Sequence, residues 1–233
     1  MINQHPDHLR HPDEICSTDP RNRSYDLTLH DMHEVAARLA LNQSVPEDIA
    51  VQFETSKNVY LYSWFVYRFY PVARLHALTV LELALRNRFE AELPDSYRGF
   101  KGRTTLKKMI QYGKDVGVLQ NEAFESHRHR AEVRARTRHF FEMVEYMSNN
   151  DIETMEVDES KIEITDEDRA FDTLGMLIDS LPAIRNLHAH GSTHLDNDAY
   201  TTLKIVSEII NQLWPLDAGA SDTPKNETGE PDA

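Results

Sequence analysis

Cysteine is almost absent. Cys16 is the only one in 233 residues, so no internal disulfide can form and secretion gains no support. Eight glycines in all argue against a loop-rich β-architecture. No apolar run approaches a membrane span, and the polar N-terminus lacks the apolar core of a signal peptide. No glycine-rich phosphate loop and no solenoid repeat can be found. No serine sits in a nucleophile elbow and Cys16 lies in the N-terminal stretch, which leaves a serine or cysteine hydrolase little support. What remains is 40% hydrophobic and 27% charged, enough for one buried core. The plain reading is a cytoplasmic protein.

The formal charge is −14, which argues against non-specific nucleic-acid binding by the molecule as a whole. The charge is unevenly spread. Residues 98–139 carry eleven Lys or Arg against four acids, and residues 151–168 carry nine acids against Lys161. A basic face on an acidic body could grip an RNA locally through Lys107, Lys108, Arg128, Arg130, Arg134 and Arg138. The alternatives are a solvated basic face and two segments that attract one another.

Hydrophobic spacing predicts an all-α bundle with long antiparallel helices and an acidic crossover. Residues 1–24 have no hydrophobic period and read as a disordered or loosely attached arm, and 215–233 as a disordered tail. The helical domain is 25–214. Its first helix is expected over 28–41. A second opens at Pro46 and runs through Ile49, Phe53, Tyr60, Trp64 and Tyr67, with a break near 56–58. The most apolar helix follows Pro71, over 72–93, and contains Glu82. That carboxylate either pairs with Arg86 at i,i+4 or orients Arg185 across the bundle. A short basic helix follows over 104–115. Asn121 is expected to cap a long helix reaching Ser148, amphipathic in its second half through Phe140, Val144 and Met147. The acidic 151–168 segment is a hairpin or a crossover outside the bundle. Thr165 is expected to cap the next helix, with Phe171, Leu174, Ile178, Leu181 and Ile184 as its stripe and a kink at Pro182. Asp196 or Asn197 then caps a last helix through Leu203, Val206, Ile210, Leu213 and Trp214.

The chemistry concentrates in Arg185-Asn186-Leu187-His188-Ala189-His190-Gly191, at the end of that penultimate helix. Histidine can take and return a proton near neutral pH, and arginine offers a permanently charged fork to phosphate oxygens. An arginine, a polar residue directly after it and a histidine beyond four intervening positions, late in an all-helical chain, resembles the HEPN family. The stretch Leu81-Glu-Leu-Ala-Leu-Arg-Asn-Arg88 is similar to one common in abortive-infection HEPN proteins. The resemblance covers roughly 46–214. It implies a HEPN-like bundle and a metal-independent RNA endonuclease of defence or toxin type, with no cofactor. It implies His190 as acid and base, Arg185 as the phosphate-stabilising cation, Asn186 as a positioning amide, and 2′,3′-cyclic phosphate products. It also implies a homodimer with a composite groove, and an antitoxin or regulatory partner. His188 and Glu82 would assist.

On an ideal helix Arg185 and His190 lie roughly 140° apart, whereas His188 shares the face of Arg185. Termination at Gly191, or a second copy of the motif, would have to complete the site. Three other readings stand beside this one. Arg185 and the histidines could stabilise a helix end. His188, His190, His194 and Asp196 have ligand-like spacing. The bundle could also dimerise and bind RNA or protein without cutting. The 151–168 segment is a candidate acidic mimic of RNA over the groove.

Overall fold

The helix that follows the Pro71 signal is the centre of the protein. The computed structural model describes residues 7–24, 27–99, 102–191 and 193–216, and among them are seven α-helices and no strand. They are α1 (Leu29–Ala37), α2 (Glu47–Tyr62), α3 (Phe69–Phe89), α4 (Leu106–Asp115), α5 (Glu125–Asn149), α6 (Thr173–Ala189) and α7 (Ala199–Leu213). The chain is an all-α bundle. None of the helices is long and apolar enough to cross a membrane.

α3 packs against α2, α4, α6 and α7. Its Ala73, Ala77, Leu78, Leu81, Ala84 and Leu85 are fully out of solvent, a pattern too broad for one amphipathic stripe and therefore that of a central helix. The expected stripes of the outer helices meet it: Ile49 and Phe53 from α2, Leu174, Ile178 and Leu181 from α6, and Leu203, Val206, Ile210 and Leu213 from α7. Removing any one of these large side chains to alanine would cost about 2–5 kcal/mol.

Several boundaries differ from the sequence expectation. α2 stops at Tyr62 and is unbroken at 56–58, so Trp64 and Tyr67 lie in the link to α3. α3 ends at Phe89 rather than near 93. Residues 7–24 are not loose. Asp19 and Asn22 are buried, the Asn22 amide donates to the Ser63 and Trp64 carbonyls, and the Asp19 carboxylate accepts from the Tyr67 N–H and from Arg21. Residues 1–6, and the expected tail from 217 onward, lie outside the described residues.

Asn121 does not cap α5. It sits in a short 3-10 turn, and its Oδ1 accepts from the Leu174 N–H at the start of α6. α6 begins at Thr173, where Asp172 accepts from the Gly175 N–H. Thr165 and Asp168 do form reciprocal side-chain bonds, but the turn they close does not continue into a helix. Asp168 is instead drawn to Arg138. α6 runs through Pro182 without interruption. α7 is preceded by Asp198, and Asp196 pairs with Arg74 while its Oδ1 also accepts from the Asp198 N–H.

The acidic segment is a crossover with a short 3-10 turn at Glu159–Lys161, the turn closed by Thr165 and Asp168 at its end, and no hairpin. It lies along the first half of α5. Arg138 donates to the Asp168 carboxylate at 3.0 Å and to the Glu163 carbonyl at 2.8 Å, and Arg130 stacks over Phe171 at 3.7 Å. Beyond Ala135 no residue of α5 is buried, and Phe140 and Val144 remain exposed. The apolar stripe of this half-helix is thus left mostly in solvent, with Met147 half-buried.

The Arg138 hydrogen bond and the Thr165 N–H hold the Asp168 carboxyl down at about 2. A depressed carboxylate pKa contributes stability above its unfolded value, about 3.9, and loses it as pH falls through the folded value. The stability difference between wild type and Asp168→Asn should thus be full above about pH 4 and shrink toward pH 2. Urea denaturation at stepped pH measures it.

Candidate functional site

α6 is held by its buried stripe against α3 and α4, which brings Arg185 over the middle of α3. The Arg185 Nη2 donates to Glu82 Oε2 at 3.4 Å, while Arg86 Nη2 donates to Glu82 Oε1 at 2.6 Å. One carboxylate thus makes both contacts considered from the sequence, and the i,i+4 pair is the tighter. A half-buried Glu82 is tolerable because each oxygen has a cation. Arg185 Nη1 lies 3.5 Å from the exposed Asn186 Oδ1, at the outer edge of a hydrogen bond.

Arg185 stands between two clefts. A cavity of about 790 Å³ is lined by the start of α2, by one face of α3 and by Arg185. A second, of about 400 Å³, is lined by 104–107, Pro182, Arg185 and Asn186. Glu82 and Arg185 are the residues common to both. No residue of the acidic crossover lines either cleft, so the crossover does not cover the Arg185 groove as an RNA mimic.

His190 is not gathered into these clefts. It follows the last residue of α6, exposed, with its backbone N–H still bonded to the Asn186 carbonyl at 3.0 Å. Gly191 takes the left-handed conformation, φ 82°, in which only glycine is comfortable, and the chain turns away there. The expected helix stop is in place, but Arg185 and His190 do not share a cleft within one chain.

His188 does share the α3-facing side with Arg185, about one turn further along. Burial pushes its pKa below the ordinary histidine value, and the nearby Arg74 guanidinium pushes it the same way against the opposing charge of Asp196. Its Nε2 is buried without a hydrogen-bond partner.

Arg74 is the residue that sequence reading missed. It is buried within α3 and bonds both Asp196 oxygens at 2.6 and 2.7 Å, and its Nε donates to Thr202 Oγ1 at 3.2 Å. This charge-assisted pair, in which one Arg74 nitrogen (Nη1) donates to both carboxylate oxygens, ties the segment between α6 and α7, which carries His190 and His194, to the central helix. The available signal was an arginine inside the most apolar helix; its partner 122 residues away could not be read.

The six basic candidates do not form one RNA face. Arg128 donates to the Glu122 and Ala123 carbonyls, and Arg130 and Arg138 hold the crossover. Lys107 pairs with Asp179 at 2.7 Å and Lys108 donates to the Arg98 carbonyl at 2.8 Å. Arg134 is exposed. Only Lys107 also lines a cleft shared with Arg185. The attraction between the basic and acidic segments, considered from the sequence, is realised.

Among the described residues no group of three or more His, Cys, Asp or Glu is placed to hold a metal ion. The 188, 190, 194, 196 spacing does not converge, since Asp196 is taken by Arg74 with His194 Nε2 3.4 Å away. Comparison with known proteins finds no family model, curated protein or solved structure that matches the chain.

Replacing Arg74 with methionine should raise the His188 pKa, because a nearby cation is removed, and should loosen the 190–198 segment. A lowered histidine pKa means that the unfolded chain binds the proton more readily. The His188 contribution is therefore full above about pH 6.5 and is lost as pH falls below it. NMR titration of the His188 ring in wild type and Arg74→Met reads the first effect. The pH-dependence of stability in His188→Gln, flatter than wild type, reads the second.

Proposed function

We propose that the protein is a metal-independent RNA endonuclease of HEPN type, acting in the cytoplasm in a defence or toxin role. The observation that carries this reading is the position of Arg185. Its guanidinium stands at the meeting point of two clefts, oriented by Glu82, with the Asn186 amide beside it and a freed His190 just beyond the helix end. In this reading the His190 imidazole accepts the 2′-hydroxyl proton as the 2′-oxygen attacks phosphorus. Arg185 stabilises the charge that builds on the phosphoryl oxygens, and Asn186 positions the phosphate. The bond to the 5′-oxygen then breaks, His190 returns the proton to it, and the products are a 2′,3′-cyclic phosphate and a 5′-hydroxyl.

The reading includes a homodimer, because His190 and Arg185 of one chain do not meet in a cleft and a second copy would supply the missing imidazole. The exposed Phe140, Phe141, Val144 and Tyr146 on the second half of α5 favour some apolar association. Control by an antitoxin or other regulatory protein belongs to the same reading.

The second reading is a non-catalytic HEPN-like dimer that binds RNA or protein. It is favoured by the Arg185 guanidinium being engaged with Glu82 while His190 faces solvent.

Purified protein should cleave RNA in EDTA and leave cyclic phosphate ends. Arg185→Ala and His190→Ala, folded by circular dichroism and unchanged in mass by light scattering, should each reduce the rate at least a hundredfold. Equal rates in the folded variants would remove the catalytic assignment, and cleavage abolished by EDTA would move the chemistry to a metal.

A further inference from the structure

The two clefts that meet at Arg185 differ in chemistry, and the difference has a direction. The larger has apolar walls from Val51, Val80 and Leu83, with Gln52, Thr79 and His76 as its neutral hydrogen-bonding groups and the Glu82–Arg86 ion pair beside Arg185. The Nε2 of His76 is buried and has no partner, a state that buried polar atoms rarely keep once a site is filled. The acids Glu47 and Asp48 stand at the same cleft. They repel a phosphate, but they can accept hydrogen bonds from the exocyclic amino group of a base. The smaller cleft shares Glu82 and Arg185 and has apolar walls from Leu106 and Pro182, but its other polar groups differ. Thr104, Thr105 and Asn186 offer hydroxyls and an amide, and Lys107 offers an ammonium, which suit ribose and phosphate. Both volumes fall within the range of small-molecule sites, about 300–1,000 Å³.

We propose that the larger cleft is a base-reading subsite and the smaller a ribose-phosphate subsite, flanking the phosphate of a single-stranded RNA bound at Arg185. Gln52 reads the edge of the base, the His76 ring turns its Nε2 out toward it, and Val51 and Leu83 cover its faces. Lys107 leaves Asp179 to meet the neighbouring phosphate. A duplex cannot enter, because the base must leave its partner to fill the cleft. The ligand class is a single-stranded oligoribonucleotide with a preferred base on one side of the bound phosphate.

This assignment rests on the nuclease reading, and two measurements separate their fates. The first is the nucleotide preference around the cut in a randomised RNA pool. The second is fluorescence anisotropy of a labelled 2′-O-methyl tetranucleotide, which lacks the free 2′-hydroxyl and so reports binding alone. The variants are Gln52→Leu, His76→Ala and Lys107→Ala, with Thr79→Trp as an exposed substitution that fills the larger cleft without disturbing the core. Gln52→Leu, His76→Ala and Thr79→Trp should each weaken binding about tenfold and flatten the base preference on one side of the cut. Lys107→Ala should weaken binding without changing the preference. Cleavage and binding by wild type, with preference and affinity unchanged in Thr79→Trp and Gln52→Leu, would overturn the subsites and leave the nuclease standing. Binding with the expected variant pattern but no cleavage would support the subsites and count against the nuclease. Neither cleavage nor binding by wild type would overturn both.

Discussion

A charged side chain set among the buried residues of a central helix needs an opposite charge inside the protein, and α3 meets that need twice. Arg74 is satisfied by Asp196 and Thr202, and Glu82 by Arg86 and Arg185. The two positions lie eight residues apart, about 12 Å along the helix. They hold the end of α6 and the segment that follows it at two points. An unpaired charge in either place would cost several kcal/mol, so the motif-bearing stretch is located by the electrostatics of the core. The Glu82 contact holds the Arg185 side chain against α3, where it lines the clefts on either side.

The same economy of charge explains the basic helix. A run of arginines on an acidic molecule invites a nucleic-acid reading, yet most of those in α5 are engaged by the chain itself. Arg138 grips Asp168 and the Glu163 carbonyl, Arg130 covers Phe171, and Arg128 closes the turn before the helix. This leaves the groove at Arg185 as the place where cations, amides and open volume coincide. Near neutral pH the −14 charge of the chain resists indiscriminate RNA binding, so recognition in such a groove would depend on shape and hydrogen bonding more than on a broad cationic surface.

The helices themselves were legible because burial imposes a period. The α3 run, the Leu174, Ile178 and Leu181 stripe and the Leu203 to Leu213 stripe all lie where spacing put them. The Gly191 stop was legible from the residue type alone. The misplacements share one physical cause, which is that a short polar side chain can serve a distant partner as well as its own backbone. Thr165 and Asp168 look like a helix start, but Arg138 holds Asp168 in a closed turn. Asn121 looks like the cap of α5 and instead accepts from the Leu174 N–H in the first turn of α6, which Asp172 caps. Asp196 looks like the cap of α7 and binds Arg74. In the candidate site, the Glu82–Arg185 contact could be posed from sequence as one of two alternatives, while the Arg74 anchor and the two clefts depend on long-range packing that no local pattern encodes.

We propose that RNA is held at Arg185, between α3 and α6, and not along basic α5. Photo-crosslinking of a thiouridine-substituted single-stranded RNA, followed by mass spectrometry of the adducts, tests it most directly. Adducts are expected on cleft residues of α2, α3 and 104–107, and are expected to disappear in Arg185→Ala. Adducts confined to 128–138, or an unchanged pattern in that variant, would contradict it.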